Sequence, residues 1–161
     1  MYRWIVFLHV LGAFAFVMAH GASANISFKL RRETSRERIA ALLDLSTAYF
    51  GGMYVALLVM LLTGIALGFV GNWWGQGWIW LALALLLAKL FAMFTMAARS
   101  FTQLRQAAGL PYFDGKPHPA APPASPEEIA ARAAAINPIP IAVVGFGGLA
   151  LIVWLMMFKP F

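Results

Sequence analysis

The sequence predicts an all-α polytopic membrane protein, a bundle of four transmembrane helices, on three observations. Of its 161 residues, 62% are hydrophobic and only 11% charged, far from the balance of a soluble globular domain. Four apolar runs, residues 4–24, 48–70, 78–98 and 139–158, each approach the ~20 residues that a helix needs to cross ~30 Å of hydrocarbon. The basic residues gather in the two segments that connect the first span to the second and the third to the fourth, the distribution that sets orientation in a membrane. The chain is thus a single membrane domain over 1–161.

The first run is too long for a signal-peptide core and is not followed by a small-residue cleavage site and a polar mature domain, so it reads as a retained helix. The segment after it, "KLRRETSRER", carries Lys29, Arg31, Arg32, Arg36 and Arg38. The second span contains "YFGGMY" and "TGIALG", where Gly64 and Gly68 form a small-xxx-small face suited to close helix packing. An uncharged "GNWWGQG" turn leads to the third span. Residues 99–137 then form a long basic loop, with proline-rich "GLPYFDGKPHPAAPPASP" expected to be extended and a short helix at about 126–136. Ser125 suits the cap of that helix, Pro126 its first position, and Glu128 completes a capping box. The fourth span carries "GFGGLA", with Gly145, Gly147 and Gly148. The positive-inside rule places both basic loops in the cytoplasm and both termini outside, as for a protein of a prokaryotic inner membrane. Trp4, Trp73, Trp74, Trp78, Trp80 and Trp154 then cluster at the outer ends, where indoles favour the interface. The net charge of +6 is accounted for by these loops, and nucleic acid is not an expected partner.

Cysteine is absent, which excludes disulfides and thiolate chemistry. No acid pair, nucleophile with a base, or HExxH motif is present, so a hydrolase or transferase is not expected. The polar residues inside the spans carry the chemistry instead. His9 and His20 lie eleven positions apart in the first span, which on a helix leaves them about 20° apart around the axis and ~16 Å apart along it. They share a stripe with Phe16, one in each leaflet. Intramembrane ionisable groups are costly and tend to mark function, and imidazole is a common axial ligand of haem iron. The pair predicts a b-type cytochrome that holds haem b through His9 and His20 and moves electrons within or across the bilayer. Simple hydrogen bonding across a helix interface is the structural alternative.

Bis-histidine haem needs two imidazoles per iron, and no other span contains histidine. A homodimer that pairs each histidine with its symmetry mate supplies them; methionine or lysine from another helix, or five-coordinate iron, are the other solutions. The third histidine, His118, reads as a solvated loop residue. Lys89, near the middle of the third span, is expected to point into the bundle towards Asp44, Tyr49, Tyr54 or a bound cofactor. Met93 and Met96 share a helical face, and with Met18 and Met53 they offer soft sulfur for copper; core packing is the commoner use of methionine. A cofactor-free accessory subunit of a larger membrane complex is the alternative of a different class. Membrane lipid is an expected partner in every case, and a quinone or redox protein if electrons are carried.

With "FLHVLGAFAFVMAHG" in view, the chain resembles the small integral membrane proteins that include copper-resistance protein D and the HemJ-type protoporphyrinogen oxidases. These open with an apolar helix bearing Leu-His followed by small residues, and His9 matches that position. The resemblance covers about the first thirty residues and the four-span layout, and implies a helical bundle with haem linked to His9. HemJ-type proteins also place a Trp and a Lys close together in the third helix, whereas Trp80 and Lys89 stand nine apart here. Oxidation of protoporphyrinogen is therefore not implied.

Overall fold

A computed structural model describes residues 1–161. Four helices are long and apolar enough to cross a membrane: α1 (Tyr2–Leu30), α2 (Arg36–Val70), α3 (Gly77–Ala107) and, after the amphipathic α4 (Pro126–Ala134), α5 (Pro138–Phe158). The all-α four-helix membrane bundle expected from hydropathy is thus the observed architecture. Phenylalanines and leucines such as Phe14, Leu58, Leu87 and Phe91 project outward from the spans, as lipid-facing side chains do.

The helices run on well beyond the apolar runs at the basic end. There α1 continues to Leu30, α2 already begins at Arg36, and α3 reaches Ala107. These extensions are helical because they are amphipathic: Ile26, Leu30, Ile39, Leu43, Phe101 and Leu104 bury one face together while the charged residues stay outside. Ser35 starts α2 by accepting a hydrogen bond from the Arg38 N–H, and Ser125 starts α4 in the same way with Glu128, each satisfying an otherwise orphaned helical donor.

The proline-rich loop is better ordered than its composition suggests. Two short antiparallel strands, β1 (Tyr112–Phe113) and β2 (Pro117–His118), form a hairpin. The chain then lies back along the end of α3, with the Ala121 and Ala124 N–H groups donating to Gly109 and Ala107 carbonyls. His118 is not simply solvated: its ring stacks on Tyr112, and Nε2 lies 2.8 Å from Asp114 Oδ1. Gly109 makes this path possible, because its φ of +74° and the closeness of the Ala121 carbonyl both exclude a Cβ. Ile129 and Ala133 dock α4 onto the helix ends. Arg105 ties the same region together, pairing with Asp44 at 2.9 Å and donating through Nε to the Pro111 carbonyl at 2.8 Å.

At the opposite end Trp78, Ile79 and Ala82 of α3 pack on Leu155 of α5. The Trp78 N–H donates to the Phe161 carbonyl at 3.2 Å, and the Lys159 ammonium lies 3.8 Å from the Trp73 ring centroid. Between the two ends, Phe16 of α1, Ala56 of α2 and Leu149 of α5 meet in a third, smaller cluster.

Two consequences are measurable. Ile129→Ala removes the main anchor of α4 from a closed core and should cost about 2–4 kcal/mol, read as a lowered melting temperature in detergent. In the α1–α2 turn, the Ser35 and Thr34 N–H groups donate to Glu33 and hold its carboxyl below the usual range. The ionised form is therefore favoured by folding, and its contribution is full above the ordinary glutamate value of about 4.3 and lost as pH falls through the lowered one. The melting difference between the parent and Glu33→Gln should be largest near neutral pH and vanish in acid.

Candidate intramembrane functional site

His9 lies in the α1–α2 interface. Its Nδ1 is 2.9 Å from the Met60 carbonyl oxygen and 3.1 Å from Thr63 Oγ1. A carbonyl only accepts, so Nδ1 carries the proton and the lone pair resides on Nε2. That Nε2 has no protein partner and, unlike the His20 Nε2, is not sealed inside. The ring rests on Gly64, where a Cβ would stand 3.1 Å from His9 Cε1.

His20 occupies a different environment. It is only 6% exposed, with its ring parallel to that of Phe16 at 6.0 Å between centroids and edge-on to Phe146 at 5.4 Å. Its Nε2 has no hydrogen-bond partner. The atom points at Gly145 so closely that a Cβ there would overlap it. Lys89, 4% exposed, also meets Phe16, with Nζ 4.7 Å from the ring centroid, and it too lacks any hydrogen-bond partner.

Three of the four residues singled out from sequence therefore converge: Phe16, His20 and Lys89 line one cavity of about 110 Å³. His9 stands apart against α2. The shared stripe on α1 does not put both histidines in one site, because α1 faces α2 at His9 and the α3–α5 side at His20. Two π-helical stretches flank the cavity, Phe94–Ala98 in α3 and Val143–Gly147 in α5; such irregular turns often accompany functional sites. Met93, Phe94, Ala97 and Ala98 border the space from the first, while the second presents Gly145 and Phe146 to His20.

The expected protein partners of Lys89 are not found on it. Asp44 is taken by Arg105, Tyr49 does not border the cavity, and Tyr54 borders it without a hydrogen bond to Nζ. The four methionines do not gather at one point: Met53 and Met93 both border the cavity, but Met96 packs on the core at the basic end and Met18 is 75% exposed on the outside of α1. No group of three or more His, Cys, Asp or Glu side chains comes together. Sequence reasoning missed Met60, Thr63, Phe146 and the Ser23–Ser46 hydroxyl pair at 3.3 Å. The "GFGGLA" glycines were the one signal that an α5 residue must yield to a neighbour.

Fold and site together define a four-helix membrane protein with two separate polar positions inside the bilayer. No protein-family model, curated protein or solved structure matches the chain.

Gly145→Ala should force the His20 ring from its place and destabilise the protein by about 1–3 kcal/mol. Gly147→Ala, whose Cβ meets open space, should be neutral or slightly stabilising. Thermal unfolding of the two variants side by side checks the difference.

Proposed function

We propose that this protein is a membrane b-type haem protein that carries electrons, with His9 as an axial ligand. The observation that carries the reading is the hydrogen bond from His9 Nδ1–H to the Met60 carbonyl. Metal-ligating histidines almost always donate their other ring N–H to such a group, which fixes tautomer and orientation. Nε2 is then the free, unprotonated nitrogen that iron requires. Thr63 lends a second contact to the same Nδ1, and Gly64 keeps α2 low beneath the ring. The resemblance to the copper-resistance protein D and HemJ-type proteins points to the same residue.

Haem bound there supplies one-electron redox chemistry. The protein's part is to hold the imidazole, exclude water through the surrounding phenylalanine and leucine side chains of α1, and set the polarity around the iron. The second ligand would be His9 of a second copy in a parallel homodimer, approached at the open Nε2 of each ring. His20 is not assigned to a second haem: its Nε2 is sealed against the Gly145 backbone, which leaves no room for iron at that atom. The positive-inside rule orients the basic end to the cytoplasm of a prokaryotic cell.

Purified protein supplied with haemin is expected to give a Soret band and reducible α bands, at one haem per two chains. His9→Ala should lose at least nine-tenths of the bound haem, whereas His20→Ala should keep most of it. Full haem retention in His9→Ala would end this reading.

A further inference from the structure

The cavity lined by Phe16, His20 and Lys89 presents a nitrogen that nothing in the protein satisfies. Lys89 Nζ brings three N–H donors on a side chain more than nine-tenths buried, while the His20 ring borders the same space with its Nε2 turned to Gly145. A buried polar group without a partner costs about 1–3 kcal/mol, so a group from outside is needed to complete the lysine. The chain has no acid to offer there. Its six Asp and Glu residues all belong to the basic end, and Asp44, the nearest in expectation, is held by Arg105.

The position of the cavity restricts what that group is. Lys89 lies twelve residues beyond Gly77 at the start of α3, about 18 Å along the helix and so near the middle of a ~30 Å hydrocarbon layer. The phosphate of a phospholipid resides at the interface and does not reach this depth. The rest of the lining is mainly apolar and aromatic, with Phe50, Met53 and Leu57 opposite Lys89. Tyr54 and Phe94 border the cavity yet are 64% and 70% exposed, which marks an opening to the lipid between α2 and α3. The π-helical stretch of α3 begins five residues beyond Lys89, and its Phe94, Ala97 and Ala98 border the cavity on the side towards the basic end.

We infer that this cavity binds a lipid-soluble molecule through a carbonyl-type oxygen, which accepts a hydrogen bond from Lys89 Nζ while the rings of Phe16 and His20 border the same head. The apolar body leaves through the opening between α2 and α3. A ring ketone of quinone type and a fatty carboxylic acid share this chemistry. The site is independent of haem at His9, and its test uses haem-free protein, so that failure of one reading leaves the other standing.

Full-length protein in lipid nanodiscs is titrated with menadione, decanoic acid and decane, and bound probe is measured by equilibrium dialysis. Saturable binding of menadione or of decanoic acid, at one per chain and without comparable binding of decane, is expected; the probe that binds identifies the source of the oxygen. Lys89→Met keeps the length of the side chain but removes its donors, and should weaken binding about tenfold or more. Gly147→Ala should bind as the parent does. Binding of neither oxygen-bearing probe, equal binding of decane, or parental affinity in Lys89→Met overturns the inference. If Lys89→Met fails to fold, Met93→Trp, which fills the cavity, must abolish binding; parental affinity in that variant overturns the inference equally.

Discussion

At Gly12, α1 lies directly on the backbone of α2. A Cβ at this position would stand 3.2 Å from the Met60 nitrogen and 3.3 Å from the Ala56 oxygen. Between membrane helices there is little hydrophobic gain to drive association, because lipid tails are as apolar as leucine; contact must come from van der Waals packing and interhelical hydrogen bonds. Gly12 makes both available. It lets the two helices run together along most of their length, brings the His9 ring within hydrogen-bond distance of the Met60 carbonyl, and seats Phe16 one turn further on against Ala56. Phe16 in turn is the surface on which His20 and Lys89 rest. The two polar positions of the membrane interior are thus both set by one missing side chain.

The two ends of the protein are held by different physics. At the basic end the helices emerge from the apolar runs and, with α4, close a core of eleven buried residues from Ile26 to Ile141. There, burial of apolar surface away from water is a real driving force. At the tryptophan end the contacts are aromatic and cationic, with Trp78 enclosed and Lys159 over Trp73. The middle depends on close packing and a few interhelical hydrogen bonds, and the polar residues are placed in that middle.

Much of this is legible in the sequence because the bilayer imposes a simple rule: twenty apolar residues in a row must be helix. The cap of α4 at Ser125 was equally plain, since its chemistry is local. The convergence of Phe16, His20 and Lys89 was partly legible, as an ionisable group at mid-membrane depth has to turn inward. What could not be read was which neighbour each side chain meets. The helical wheel puts His9 and His20 on one stripe but does not say that α2 covers the first and α5 the second. Asp44 was a reasonable partner for Lys89 by charge, yet Arg105, far from Asp44 in sequence, reaches the carboxylate from the end of α3. The hairpin and the docking of α4 were hidden because proline-rich composition signals extension, whereas backbone hydrogen bonds to Ala107 and Gly109 decide the path.

The π-helical turn at Phe94–Ala98 also separates two jobs of α3. One extra residue in a helical turn advances everything after it by about 100° around the axis. Above the turn α3 directs Lys89 into the bundle; below it Phe101 and Leu104 face the core shared with α1, α2 and α4. In an uninterrupted helix these two faces would be locked to one another. The inserted residue frees them, so that the depth and direction of the lysine and the grip of the helix end are phased as independent quantities within a single rod.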